Sequence, residues 1–215
     1  MPSLPNYIVI EGPIGVGKSS LAQRLANDFN SQLMLEEVDE NPFLEQFYQR
    51  PREAALSTQL FFLMHRTRQI KELRQADIFS QTKIADYLIE KDQLFAQVTL
   101  SPTEYELYLQ VYEHMIIDAP KPDLVVYLQA PVPTLIDRIR KRGRNFERFI
   151  ESSYLEQLNE AYADFFYHYN DTPLLIVNAS EIDFINNDRD YEQLKSQIVS
   201  TTSGRHYFNP LPFVS

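Results

Sequence analysis

Gly12-Pro13-Ile14-Gly15-Val16-Gly17-Lys18-Ser19 fits the pattern G-x-x-x-x-G-K-[ST] at every position. In that pattern backbone N–H groups cradle a polyphosphate at a helix N-terminus, the lysine adds a point charge for the β/γ-phosphates, and the hydroxyl is offered to Mg²⁺. Three of the chain's five glycines lie in these eight residues. The surroundings agree with the motif. Tyr7-Ile8-Val9-Ile10 reads as a buried strand entering the loop. The stretch from Ser20 to Phe29, with Leu21, Ala22, Leu25 and Phe29 apolar at helical spacing, leaves it as a helix. Residues Gly12 to Ser20 are therefore expected to hold a nucleoside triphosphate, with Ser19 as a Mg²⁺ ligand.

Working outward, short apolar runs recur between helical segments: Tyr7–Ile10, Leu33–Leu35, Thr82–Ala85, Leu124–Leu128 and Leu174–Val177. Strands alternating with helices predict an α/β fold, a five-stranded parallel sheet with helices on both faces. Ligands of such sheets sit at the carboxyl ends of the strands. Glu11-Gly12, Glu36, Asp86 and Gln129 fall at those ends. Asn41-Pro42 reads as an N-cap and first-turn proline, and Ser101-Pro102-Thr103-Glu104 as a capping box. Ser153 and Glu156 have the spacing of a second box. The helix over Tyr105 to Ile116 is apolar nearly all round, which predicts burial on several sides, in the core or against another subunit. The tail from Ser200 to Ser215 has no periodicity.

At 215 residues the chain suits one domain, 1–215, with two being cramped. A net charge of −10 argues against a nucleic-acid partner, since the one basic cluster, Arg138 to Arg148, is sized for a nucleotide. The chain has no cysteine, which removes disulfides and thiolate metal sites and fits a reducing compartment. No stretch approaches ~18 apolar residues and the N-terminus has no basic, apolar leader pattern, so the expectation is a cytoplasmic protein with no membrane partner.

A phosphate loop specifies the donor, not the reaction. Around Asp137-Arg138-Ile139-Arg140-Lys141-Arg142-Gly143-Arg144, Ile139 and the preceding Leu135 are spaced to face the core while Arg138 and Arg142 share another helix face. Gly143 ends the helix and Arg144 follows it. Such arginines close over a transferring phosphoryl group and neutralise its charge. A kinase acting on an alcohol also needs a carboxylate to accept the hydroxyl proton. Glu36 ends the second strand, but Glu37, Asp39 and Glu40 crowd the same turn, and spacing does not choose among them.

From Tyr7 to about Asp188 these residues resemble the deoxyribonucleoside kinases that act on deoxyadenosine, deoxycytidine or deoxyguanosine. The resemblance rests on the phosphate loop, Glu36-Glu37-Val38, Glu40-Asn41-Pro42-Phe43 (as in bacterial members) and the segment Arg138 to Asn145. It implies a P-loop NTPase fold with an arginine-rich lid, and Glu36 as general base. It implies that Tyr48 and Glu147 hold the sugar 3′-hydroxyl, and that Gln59, Arg66 and Asp92 read the base. Gln59 and Arg66 are seven apart, two turns on one helix face. Ile182-Asp183-Phe184 resembles the loop packing on the donor adenine, so Asp183 and Phe184 join the ATP site by resemblance. The family's Asp/Glu-Arg-Ser after the third strand is here Asp86-Tyr87-Leu88. The acid that holds Mg²⁺ through water is kept, and the Arg and Ser are not.

The expectation is ATP- and Mg²⁺-dependent phosphorylation of a deoxyribonucleoside 5′-hydroxyl in nucleotide salvage. Catalysis would use Lys18, Glu36, Arg138, Arg142 and Arg144, in a homodimer joined through the apolar helix. The rivals are a nucleoside monophosphate kinase of the thymidylate kinase kind and a non-catalytic nucleotide-binding regulator.

Overall fold

Leu124-Val-Val-Tyr-Leu128 is apolar at every position, a pattern that only a strand covered on both faces supports. In the computed structural model, which describes residues 5–75, 82–115 and 119–210, it lies inside a six-stranded sheet. The strands are β1 (Tyr7–Glu11), β2 (Gln32–Met34), β3 (Lys83–Ala85), β4 (Leu124–Gln129), β5 (Leu174–Asn178) and β6 (Arg205–Phe208). Their order is β2-β3-β1-β4-β5-β6, and every neighbouring pair is parallel. The helices are α1 (Lys18–Phe29), α2 (Leu44–Gln49), α3 (Pro51–Gln75), α4 (Lys91–Thr99), α5 (Pro102–Met115), α6 (Val132–Arg142), α7 (Ser152–His168) and α8 (Asp188–Ser200).

Successive strand side chains point to opposite faces. Ile8, Ile10, Val126, Leu128 and Val177 therefore pack with Leu21 and Leu25 of α1, Leu135 and Ile139 of α6, and Leu194 and Ile198 of α8. Val9, Val125, Tyr127 and Ile176 pack on the other face with Leu94 of α4 and Leu158, Tyr162 and Phe166 of α7. A third cluster joins Leu44 and Phe47 of α2, Leu63 of α3, and Tyr108 and Tyr112 of α5. The α/β class with a helix-flanked parallel sheet is as the sequence predicts.

The strand count needs correction from five to six. The added strand β6 comes from the aperiodic tail and pairs with β5, Leu174 opposite Arg205. It is an edge strand with two exposed and two half-buried residues, so it carries no apolar signal. Strand β2 sits one residue earlier than Leu33–Leu35. It is a three-residue edge strand whose register is set by pairing with β3, Gln32 opposite Lys83.

At the helix starts the outcomes divide. The Ser101 box forms: the Ser101 N–H and hydroxyl donate to Glu104 at 2.9 and 2.6 Å. Asn41 is not the cap expected of it, since α2 starts at Leu44 with Phe43 at the cap, but its Oδ1 accepts the Phe43 N–H at 3.1 Å in the turn leading in. The Ser153 box does not form, because α7 starts at Ser152 with Glu151 at the cap and no side-chain cap bond. Gly143 closes α6 in the left-handed region (φ 71°), donating to Ile139 at 3.2 Å.

Helix α5 is less enclosed than its sequence suggests. Tyr108 and Tyr112 are buried in it, while Leu107 is half exposed. Ile116 and residues 211–215 of the tail lie outside the described residues. Among the described residues no helix is long and apolar enough to cross a membrane.

Candidate active site

Strand β1 delivers the chain to the loop, and the loop's backbone explains its glycines. Gly12 has φ 150° and Gly17 φ 108°, conformations that disfavour a side chain. A Cβ on Gly12 would strike the Leu128 carbonyl oxygen, and one on Gly17 would lie 2.9 Å from the Phe184 ring. Lys18 opens α1, and its Nζ donates to the carbonyls of Gly12 (2.7 Å) and Pro13 (3.1 Å). Burial, with Lys91 nearby, lowers its pKa to about 8 against the opposing pull of Glu11, Glu36 and Asp86. Beside it the Ser19 hydroxyl donates to Asp86 Oδ2 at 2.5 Å. A hydroxyl and a carboxylate side by side at the loop are hard oxygen donors, a set that suits Mg²⁺.

Ile14, Gly15, Lys18 and Ser19 form one end of a cavity, and Glu36 stands in its wall. The four acidic residues of that turn are now distinguished. The Glu36 side chain is 15% exposed, whereas Glu37, Asp39 and Glu40 are half exposed or more. Glu37 and Glu40 face His65, and Asp39 pairs with Arg144 at 3.2 Å. The Glu36 N–H donates to Asp86 Oδ1 at 2.7 Å, tying the ends of β2 and β3 together. Its Oε1 accepts from Arg66 Nη2, and its Oε2 from Lys91 Nζ at 3.1 Å. Burial alone would push this carboxyl up, but Arg66, Lys91 and Lys18 more than offset it and hold its pKa at about 2. Asp86 is pushed the other way, upward, by burial and the Glu36 charge.

The same cavity gathers Tyr48, Gln59, Arg66, Arg142, Arg144 and Glu147. Gln59 and Arg66 rise from one face of α3 and are both buried. Asp92, fully buried, sits behind Arg66 and forms an ion pair with its Nη1. Tyr48 lies parallel to Phe146, ring centroids 6.3 Å apart. Glu147 is buried and accepts from Arg142 Nε at 3.0 Å and Nη2 at 2.6 Å, with Arg144 at 3.7 Å.

Besides Asp92 and the loop residues Gly12, Pro13, Val16, Gly17 and Ser20, three expected residues lie outside the cavity wall. Arg138 shares a helix face with Arg142, yet its guanidinium turns to the loop and donates to the carbonyls of Val16 (3.1 Å) and Ala179 (2.7 Å). Phe184 is buried in the core against Gly17. Asp183 is exposed and accepts the N–H groups of Ile185 and Asn186 in its own turn.

Two buried residues of this network were not expected in the site: Glu11, marked in sequence only by its place at a strand's carboxyl end, and Lys91. Glu11 accepts from the Gly12 N–H (2.7 Å), the Leu88 N–H (2.6 Å) and the Tyr162 hydroxyl (2.9 Å), so one carboxylate joins β1, the loop, β3's exit and α7. Lys91 lies 3.9 Å from Glu11 and bonds Glu36. In sequence, Glu90-Lys91-Asp92 looks like a solvated charge run at a helix start. Tyr87, where the resemblance expects arginine, is buried, with Arg66 and Lys91 5.7 and 5.9 Å from its ring centre.

A phosphate-type loop at the end of β1, a buried carboxylate beside it and a lined acceptor cavity define a kinase of small hydroxyl compounds. The family model for deoxynucleoside kinases matches residues 8–203, and the chain belongs to that family. It is therefore a phosphotransferase. Among its relatives, the deoxyguanosine kinase of Bacillus subtilis strain 168 is 39% identical over 199 residues, covering 89% of this chain and 95% of that protein. The deoxyadenosine kinase of Lactobacillus acidophilus is 32% identical over 205 residues, covering 89% and 94%. Among solved structures, deoxyadenosine kinase from M. mycoides with bound dATP superposes with a TM-score of 0.78 at 28% identity, covering 90% and 99% of the two chains.

Proposed function

We propose that this chain transfers the γ-phosphoryl group of ATP to the 5′-hydroxyl of a deoxyribonucleoside. The observation that carries the reading is Glu36, a buried carboxylate in the wall of the cavity that Lys18 and Ser19 close at one end. The loop from Gly12 to Ser20 holds the triphosphate in a P-loop fold, with Asp183 beside the donor base and Phe184 packed beneath the loop at Gly17. Ser19 and Asp86 would hold Mg²⁺, whose chemistry is to neutralise the charge of the donor phosphates. Tyr48 and Glu147 hold the sugar 3′-hydroxyl, and Gln59, Arg66 and Asp92 receive the base. Glu36 accepts the 5′-hydroxyl proton as the oxygen attacks in line. Arg142 and Arg144 close over the transferring group, while Arg138 braces the loop behind it. The test is an assay of the purified protein with ATP and Mg²⁺ against deoxyadenosine, deoxyguanosine, deoxycytidine and thymidine. Turnover of at least one supports the reading, and none with any of the four sinks it.

Lys91 makes a sharper check on the missing arginine at position 87. Its ammonium fixes one Glu36 oxygen from α4, so it supplies the positive charge the site needs there. Lys91→Met is expected to lower kcat about tenfold or more with little change in nucleoside KM, and Lys91→Arg to restore most of it. Equal kcat for Met and wild type would assign the lysine to stability alone.

The reading extends to a single working domain, a cytoplasmic location in nucleotide salvage, and a homodimer. Helix α5 supports the last, since Leu107 is half exposed beside half-buried Tyr105, Leu109 and Val111. Light scattering at micromolar concentration is expected to give twice the chain mass of 25.2 kDa, and a stable species at that mass would exclude the dimer.

A further inference from the structure

Gln59 is buried, and its two amide ends are not equivalent. Nε2 donates to Thr99 Oγ1 at 3.2 Å, whereas Oε1 is buried without a hydrogen-bond partner among the described residues. A glutamine amide turned by 180° fills the same volume, so the orientation has to be decided by chemistry. Thr99 decides it. Its hydroxyl has one proton, already donated to the Phe95 carbonyl at 2.7 Å, one helical turn back. What remains on Oγ1 is lone pairs, which pair with an N–H and not with a carbonyl. The amide is therefore pinned with nitrogen toward Thr99. Thr99 itself is absent from the cavity wall, which Gln59 and Phe95 line.

We infer that Thr99 is a positioning residue for base selection: by fixing the Gln59 amide it fixes the donor–acceptor order presented to the nucleobase. The consequence follows from the bases. On the Watson–Crick edge adenine presents an acceptor at N1 and a donor at the 6-amino group, and cytosine presents the same order at N3 and N4. Hypoxanthine and guanine present a donor at N1 and an acceptor at O6, the reverse order. An amide held one way matches one order and meets the other with donor against donor and acceptor against acceptor. A site whose buried polar groups are left unmatched rejects the wrong ligand strongly. Arg66, which only donates, and Asp92, which when ionised only accepts, add their own preferences, so Thr99 contributes part of the discrimination and not all of it.

The inference rests on Gln59 reading the base, and the experiment separates the two. Deoxyadenosine and deoxyinosine differ only at the edge in question, so the ratio of their kcat/KM values is the readout. Wild type is expected to favour one of them clearly. Thr99→Val keeps the shape and removes the acceptor, freeing the amide to turn, and is expected to move the ratio toward one by about tenfold. Thr99→Ser retains the hydroxyl and is expected to recover the wild-type ratio. Gln59→Ala is expected to shrink the ratio as well. A ratio unmoved in Thr99→Val but reduced in Gln59→Ala overturns the role of Thr99 and leaves Gln59 as a reader of the base. A ratio unmoved in Gln59→Ala, or a wild type that treats the two nucleosides alike, overturns both. Thermal melting of each variant confirms that folded protein is being compared, and Thr99→Ala, which also removes the acceptor, serves with the same expected shift if the Val variant does not fold.

Discussion

Glu36→Gln is expected to lower kcat about 100-fold or more while nucleoside binding survives. Glutamine keeps the size of the side chain and an oxygen for Arg66 or Lys91, but it does not accept a proton from the attacking hydroxyl. Both Glu36 oxygens are occupied by cations in the structure. One of them has to be released to the substrate before proton transfer. Arg66 is the partner suited to leave, since the base, lying against Gln59, draws the same guanidinium, which Asp92 holds from behind. The substitution also removes one negative charge from a site where Arg66 and Lys91 are buried. Some loss of thermal stability is expected with it, because a buried cation keeps its charge at less cost beside an anion. Steady-state kinetics paired with nucleoside binding checks the claim. Near-normal kcat in Glu36→Gln together with loss of activity in Glu37→Gln would transfer the role to the neighbour.

Nucleoside 5′-monophosphates are expected to be poor acceptors compared with the matching nucleosides. A monophosphate brings nearly two negative charges to the 5′ end. Glu36 stands at that end and Glu147 lines the sugar region of the same cavity, and each is already paired with the cations near it. Two unit charges of like sign ~4 Å apart repel by about 4 kcal/mol at an effective dielectric of 20. Arg142 and Arg144 screen part of that, which leaves a discrimination of about 100-fold in kcat/KM as the expected result. The measurement is a matched series of the four deoxynucleosides and their monophosphates. Faster turnover of any monophosphate than of every nucleoside would make this a monophosphate kinase, the rival that shares the loop and the sheet.

Much of the site is written locally. The loop from Gly12 to Ser19 is contiguous, and its glycines are required by its own backbone angles, so eight residues suffice to recognise it. The central strands are readable because burial on both faces leaves unbroken apolar runs, as in Leu124–Leu128. Strand β6 has no such run, being an edge strand open to solvent on much of its length, and nothing in Arg205-His-Tyr-Phe208 announces it. The face shared by Gln59 and Arg66 follows from helical period alone. The face shared by Arg138 and Arg142 follows equally, but their guanidinium groups part company. One finds the carbonyls of Val16 and Ala179 and the other finds Glu147, partners that helical period does not foresee.

The sequence by itself determined the phosphate loop, the alternation of strands and helices, the order of the elements and the set of acidic and basic residues from which the site is drawn. Each of these depends on neighbours within a turn or a strand of one another. Only the tertiary structure decided which of Glu36, Glu37, Asp39 and Glu40 is withdrawn from water. It alone brought Lys91 from α4 to Glu36, buried Glu11 among three hydrogen-bond donors, and turned the Gln59 amide against Thr99. Those outcomes depend on segments tens of residues apart meeting at the carboxyl ends of β1, β2 and β3. Desolvation and the pairing of buried charge are properties of that meeting, and a pattern within one segment does not encode them.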